Sequence, residues 1–315
     1  MPHSDQRLLM KQKVIFIVGP TAVGKTDVAA RIALKLGGEI ISCDSMQVYK
    51  GMDIISSKAS SVLRKKVPHH LLDVVSPEKE YNVSEYRTAA LKALRSILKR
   101  DKVPIFAGGT GLYMTILIDG IFKEKAQDQG IRSRLYADAL KLGSAALHER
   151  LALVDPEAAG RIHPNDTKRV VRALEVFEST GKPISLLQKK RRGLCDTYDV
   201  RIFCLNMGRK ELYRRIDERV ERMFKKGLMD EVISLLRLKL SKTAVYAIGI
   251  NELKDHLAGL SSLDEAVALM QKNSRNYAKR QLTWFRKDRR IRWVEVGDEE
   301  RPERVAQRIL KELKS

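Results

Sequence analysis

Residues 19–26 read Gly19-Pro20-Thr21-Ala22-Val23-Gly24-Lys25-Thr26, between the apolar run Val14-Ile15-Phe16-Ile17-Val18 and a helical pattern that reaches Leu36 and closes at Gly37-Gly38. A strand, a glycine-rich loop and a helix in that order make a phosphate cradle. The loop's backbone N–H groups converge on a diphosphate, the helix N-terminus adds its dipole, Lys25 neutralises charge, and the Thr26 hydroxyl can ligate Mg²⁺. All eight residues are therefore diphosphate-binding candidates, with Lys25 also a catalytic one and Thr26 the metal ligand. The loop does not name its ligand, and ATP or GTP is the usual occupant of such a loop.

Outward from the loop, strand and helix signals alternate. Glu39-Ile40-Ile41-Ser42 reads as a second strand and Val103-Pro104-Ile105-Phe106-Ala107 as a later one. Between them Asn82 caps a helix with Glu85 three residues on, and apolar residues from Tyr86 to Leu98 recur at helical spacing. Such alternation predicts an α/β fold with a doubly wound parallel sheet. Ligands of such sheets bind beyond the carboxyl ends of the strands, so Asp44 and Thr110, each just past a strand, are expected beside the phosphate loop. From about residue 121 to 199 strand signals vanish and basic helical patterns take over, at 132–142 and 168–178 among others. The strand-like stretch 200–205 then returns the chain to the sheet, with helices to follow at about 209–226, 228–239, 263–286 and 303–313. The expected organisation is a phosphate-loop core of residues 1–120 and 200–315, with a helical insertion domain at 121–199.

The 315 residues hold 60 Lys+Arg against 39 Asp+Glu, a formal net charge of +21. That excess is more than solubility needs and points to a polyanionic partner, with RNA, DNA and an anionic membrane all open. More of it falls beyond residue 120 than before. Three cysteines, Cys43, Cys195 and Cys204, without C-x-x-C pairing, argue against both a zinc site and a disulfide framework, and a reducing cytoplasm fits. The leader through Lys13 is polar, and no stretch approaches the roughly 20 apolar residues of a membrane span.

Several residues admit two roles. Asp44 is either a turn or helix cap, or a carboxylate facing the bound diphosphate and able to take a proton from an attacking nucleophile. Thr110 closes Gly108-Gly109-Thr110-Gly111, which is either a bare turn or a hydroxyl for Asp44 or a bridging phosphate oxygen. No later strand is an apolar run ending in Asp, as nucleotide hydrolases use to hold Mg²⁺ through water. His69-His70 is a weak metal signal, because neighbours on an extended segment point to opposite faces. Asn165-Asp166 reads as a helix cap, and Arg169 and Arg172 share one face of the helix that follows, available to phosphates or to acidic neighbours. Residues 274–292 carry eight basic side chains against the single acid Asp288, with Tyr277, Trp284 and Phe285 interleaved. That mixture suits nucleic acid, although Trp284 and Phe285 read as core residues. Lys189-Lys190-Arg191-Arg192 adds to the same basic surface.

Together these motifs closely resemble the tRNA dimethylallyltransferase (tRNA isopentenyltransferase) family of bacterial type. The resemblance runs nearly end to end, through residues 19–26, Asp44-Ser45-Met46-Gln47-Val48-Tyr49, Pro68-His69-His70-Leu71-Leu72-Asp73, and residues 107–113, 161–175, 227–232 and 277–286. It implies that the loop holds the diphosphate of dimethylallyl diphosphate, and that the acceptor is N6 of the adenosine 3′ to the anticodon. It implies Asp44 as general base, Thr110 as its partner near the scissile C–O bond, and Lys25, Arg219 and Mg²⁺ near Thr26 as stabilisers of the departing diphosphate. It implies tRNA contacts by Asp44, Ser45, Met46, Gln47 and Thr110, by Asn165, Asp166, Thr167, Lys168 and Arg169, and by Lys279, Arg280 and Gln281. A monomer free of any membrane is expected, its insertion gripping the anticodon arm. Two segments depart from the family pattern: Ile55-Ser56-Ser57-Lys58-Ala59 stands where Gly-Thr-Ala-Lys-Pro is usual, and Ile250-Asn251 replaces an aromatic and a basic residue. The competing readings are a small-molecule kinase or ATPase, a non-catalytic RNA-binding protein, and an enzyme that prenylates free AMP or ADP.

Overall fold

A computed structural model describes residues 11–122 and 128–314, so the polar leader read at the start of the chain lies, up to residue 10, outside the described residues. Six strands form one sheet: β1 (Lys13–Val18), β2 (Glu39–Ser42), β3 (His69–His70), β4 (Pro104–Gly108), β5 (Asp199–Asn206) and β6 (Arg292–Glu295). Their order is β3-β2-β4-β1-β5-β6, and every pairing is parallel. Parallel strands must be joined by crossovers that cover both faces, which is why the central strand β1 is apolar from Val14 to Val18 and almost wholly buried. Ile15 and Ile17 face a cluster with Ala29, Ile32, Val305 and Ile309 from the helices Lys25–Leu36 and Pro302–Glu312. Phe16, one pleat out of phase, stacks on Phe106 with ring centroids 4.5 Å apart.

The helix bounds follow their local chemistry. Asn82 accepts from the N–H groups of Ser84 and Glu85, while Glu85 reaches back to the Asn82 N–H, so the box read from sequence caps Val83–Leu98. Gly37, at φ +61°, ends the first helix in the left-handed conformation glycine tolerates best. The edge strands β3 and β6 were not expected from the sequence. β3 has two residues, too few for any periodicity, and in β6 only Val294 is buried, between exposed Trp293 and Glu295.

The chain divides into two compact units. One takes in the chain up to Ile118 and from Thr197 onward, the other Asp119–Asp196. The second contains no strand among its described residues, and its helices Gln129–Leu142, Ser144–Val154 and Thr167–Thr180 pack around Leu135, Leu147, Leu151, Val170 and Leu174. Among the described residues no helix is long and apolar enough to cross a membrane.

Candidate active site

The register of the sheet assembles the site. Val18 pairs with Gly108, and Ser42 with Ala107, so the carboxyl ends of β1, β4 and β2 lie side by side and bring residues 19–26, 44 and 110 together. Gly24 at φ +94° and Ala22 at +65° give the loop its reversal into the helix. Val23 is buried under it, leaving Thr21, Ala22, Gly24, Lys25 and Thr26 on the wall of a cavity of about 620 Å³.

Two cations at the loop have neutral partners, whereas Lys58, Arg64 and Arg222 on the same wall reach carboxylates. Lys25 Nζ donates to the Pro20 carbonyl at 2.7 Å, and Arg219 donates to the Thr21 hydroxyl. Burial lowers the pKa of Lys25 from 10.5 to about 8; the charge of Asp44 opposes that shift and Arg219 adds to it. Burial also lowers Arg219, again against the pull of Asp44. Two cations drawn out of water beside one carboxylate form a site whose field favours an incoming anion.

Asp44 accepts from the Met46 N–H at 2.9 Å, the turn geometry that was one of its two readings. It also lines the cavity, so the second reading is not displaced by the first. Thr110 does not bond to Asp44, one of its two expected partners. Its hydroxyl accepts the Ser45 N–H at 3.0 Å and faces the Ser45 hydroxyl at 3.4 Å, which fixes the chain immediately after Asp44. Tyr277 sits against both. Burial and the Asp44 charge push its hydroxyl up in pKa, while a hydrogen bond with Thr110 acts the other way.

A second, more apolar cavity of about 380 Å³ adjoins the first. Met46, Ile216, Val220, Ile248, Met270 and Arg280 are among its lining residues, and Thr21, Asp44, Ser56, Arg219, Met223 and Tyr277 line both. Asp44 thus stands in the wall common to a cationic chamber over the phosphate loop and an apolar one beside it.

A model of the IPP transferase family matches residues 47–288, and one of isopentenyl transferases matches residues 12–69. The chain is 50% identical over 287 residues to tRNA dimethylallyltransferase of Geobacter sulfurreducens, spanning 90% of this chain and 92% of that one. The chain belongs to the IPP transferase family. It is also 44% identical over 305 residues to the enzyme of that name from Carboxydothermus hydrogenoformans, spanning 96% and 98% of the two chains. Among solved structures it is similar to the full-length tRNA isopentenylpyrophosphate transferase of Bacillus halodurans, with a TM-score of 0.70, 38% identity and 96% and 97% of the two chains covered. It is also similar to a eukaryotic dimethylallyltransferase crystallised acting on tRNA, with a TM-score of 0.81, 29% identity and 95% and 77% covered.

Seen within an IPP transferase, the remaining motifs separate into chemistry and scaffold. Glu231, in the 227–232 motif, accepts the N–H groups of Asp53, Ile54 and Ile55 at 3.0, 2.8 and 2.9 Å. Lys58 is buried and donates to the Tyr49 carbonyl, Asp53 and Asp73. These contacts shape the segment that walls both cavities, and the departure at 55–59 keeps the lysine that makes them. In the other departing loop Ile250 is buried in the core and Asn251 donates to the Val245 carbonyl. His70 bonds Glu39 and His69 bonds the Val67 carbonyl, so the pair holds the sheet edge.

Of the expected tRNA contacts in the core, Lys279 and Arg280 are exposed on the helix Leu263–Phe285. Gln281, by contrast, is buried, accepts the Thr21 N–H at 2.8 Å and donates to the Gly109 carbonyl at 2.9 Å. A helix turns successive side chains by about 100°, so the residue next to two surface cations points inward. Trp284 bonds Thr115 and Phe285 is fully buried, as read. In the insertion, Asn165, Lys168 and Arg169 are exposed, and Asp166 caps Thr167–Thr180. Arg169 and Arg172 both reach acidic neighbours, Asp166 at 3.2 Å and the buried Glu175 at 2.8 Å.

Arg222 and Lys226, on the helix Arg209–Lys225 and just after it, also line the larger cavity and were not singled out from sequence. Their spacing of three and seven from Arg219 is the signal that could have found them.

Proposed function

We propose that the chain transfers a dimethylallyl group from dimethylallyl diphosphate to N6 of the adenosine 3′ to the anticodon in tRNA, releasing diphosphate and acting as a cytoplasmic monomer. The observation that carries this reading is the position of Asp44 in the wall shared by the cationic and the apolar cavity. A proton acceptor there can face a nucleophile entering from one side while the leaving group is held on the other. The diphosphate would lie on residues 19–26 with Lys25 and Arg219 about it. Thr26, with no His/Cys/Asp/Glu cluster of three or more among the described residues, suits Mg²⁺ that takes most of its ligands from phosphate and water. Bound there, the ion would supply further positive charge to the diphosphate oxygens.

In the reaction the adenine N6 attacks the allylic carbon as its C–O bond breaks. The bonding pair goes to the diphosphate and the N6 proton to Asp44. The amino lone pair is delocalised into the ring, so removal of the proton matters. Charge accumulates on the diphosphate as the bond breaks, where the fixed cations act most strongly. An adenosine in a loop can leave its stack at low cost and enter a pocket. The surplus of positive charge, the exposed Arg280 on the apolar cavity and the exposed Lys279 next to it in the chain favour tRNA over free AMP. The kinase reading has only the phosphate loop behind it.

Mass spectrometry of tRNA nucleosides from cells lacking the protein tests this. Loss of N6-dimethylallyladenosine is expected, and an unchanged level of that nucleoside would refute the proposal.

A further inference from the structure

Gln281 connects two parts of the site that are far apart in sequence. One amide spans them, its Oε1 on the phosphate loop at Thr21 N–H (2.8 Å) and its Nε2 on the Gly109 carbonyl (2.9 Å). The side chain is only 5% exposed, and the fit on that side is close, since a Cβ at position 109 would come within 2.1 Å of Nε2. Gly109 is bonded directly to Thr110, whose N–H donates to the Cys43 carbonyl at 3.1 Å and whose hydroxyl accepts the Ser45 N–H at 3.0 Å. Cys43 and Ser45 flank Asp44. A continuous path therefore runs from the diphosphate cradle through one amide to both neighbours of the proton acceptor. At its first link Thr21 also receives Arg219.

We infer that Gln281 is a positioning residue which fixes the separation between the diphosphate cradle and Asp44, and that it does not read RNA. The inference rests on the prenyl-transfer reading. Its physical basis is that transfer needs nucleophile, carbon and leaving group in line, and displacement by about 1 Å of either end can cost on the order of a hundredfold in rate. A glutamine suits the task because a single rigid amide offers an acceptor and a donor on opposite sides.

Gln281→Met keeps the length and shape of the side chain and removes both hydrogen bonds. In steady-state transfer of dimethylallyl from its diphosphate to unmodified tRNA, kcat of this variant is expected to fall about tenfold or more, with Kd for tRNA within about twofold of the parent. Should Gln281→Met not fold, Gln281→Glu carries the same test, because it keeps an acceptor for Thr21 and turns an oxygen onto the Gly109 carbonyl. An RNA contact would show the reverse pattern, a Kd raised about tenfold with kcat at saturating tRNA retained, and this would overturn the inference. Retention of both constants, or a loss of affinity as large as the loss of kcat, would overturn it too. If the parent protein transfers no dimethylallyl group to tRNA, the functional reading fails first, and the two failures are told apart.

Discussion

Lys25 and Arg219 at the phosphate loop and the paired basic residues of the insertion unit are held in opposite ways. Lys25 bonds a carbonyl and Arg219 a hydroxyl, and burial depresses the pKa of both. In Asp119–Asp196, by contrast, Arg132 and Arg172 meet Glu175, Arg134 and Arg150 meet Glu178, and Lys189 meets Glu157. The first arrangement stores desolvated positive charge that an anion relieves, which suits a leaving group whose charge grows during reaction. The second fixes side chains through pairs that a polyanion has to compete for, so each contact adds little and many are needed.

The contrast can be broken most sharply at Asp44. Asp44→Asn keeps the turn to Met46 while removing the base, and turnover should fall by about 10² to 10⁴ with tRNA affinity little changed. A large loss of binding at normal turnover would show that Asp44 is a contact and not the base. Next, Arg219→Met should lower kcat by about 10² to 10³, the usual cost of one preorganised charge donor, and should weaken binding of inorganic diphosphate measured by calorimetry. A variant with unchanged kcat would place the leaving group elsewhere.

The partly desolvated Lys25 predicts a pH dependence of known sign. With the free-state pKa of Lys25 lowered to about 8, and an anionic donor favouring the charged form, the pKa must rise on binding. Donor affinity should be full below pH 8 and decline by at most about tenfold per pH unit above it, with proton uptake in calorimetry near that pH. Affinity that is flat between pH 7 and 9 would contradict this. The smallest effect belongs to the insertion: Arg169→Ala should raise Kd for tRNA by about two- to tenfold and reduce the salt slope by about one.

How much of this was legible in the sequence depended on how local each signal was. The phosphate loop, the closure at Gly37 and the box at Asn82 are decided by neighbouring residues, and each took the form its sequence implied. Asp44 and Thr110 could be placed beside the loop because a parallel sheet puts strand ends together. β3 and β6 escaped notice because two residues, or one buried residue in four, leave no apolar period to read. The inward role of Gln281 joins positions 260 residues apart, so no local pattern distinguishes it from its exposed neighbours Lys279 and Arg280. Likewise, sequence placed Glu231 in a family motif and Lys58 in a segment that departs from the family, without revealing that they hold the chain that walls the site.

The most direct test is to incubate the purified protein and unmodified tRNA with dimethylallyl diphosphate labelled in the allyl group, and in parallel with γ-labelled ATP. Label should enter tRNA at adenine N6 from the first donor, depend on Asp44, and not be matched by free AMP as acceptor. Release of γ-phosphate without any prenyl transfer, or AMP accepting the group as efficiently as tRNA, would contradict the assignment of the loop as a cradle for a leaving diphosphate in a tRNA-modifying enzyme.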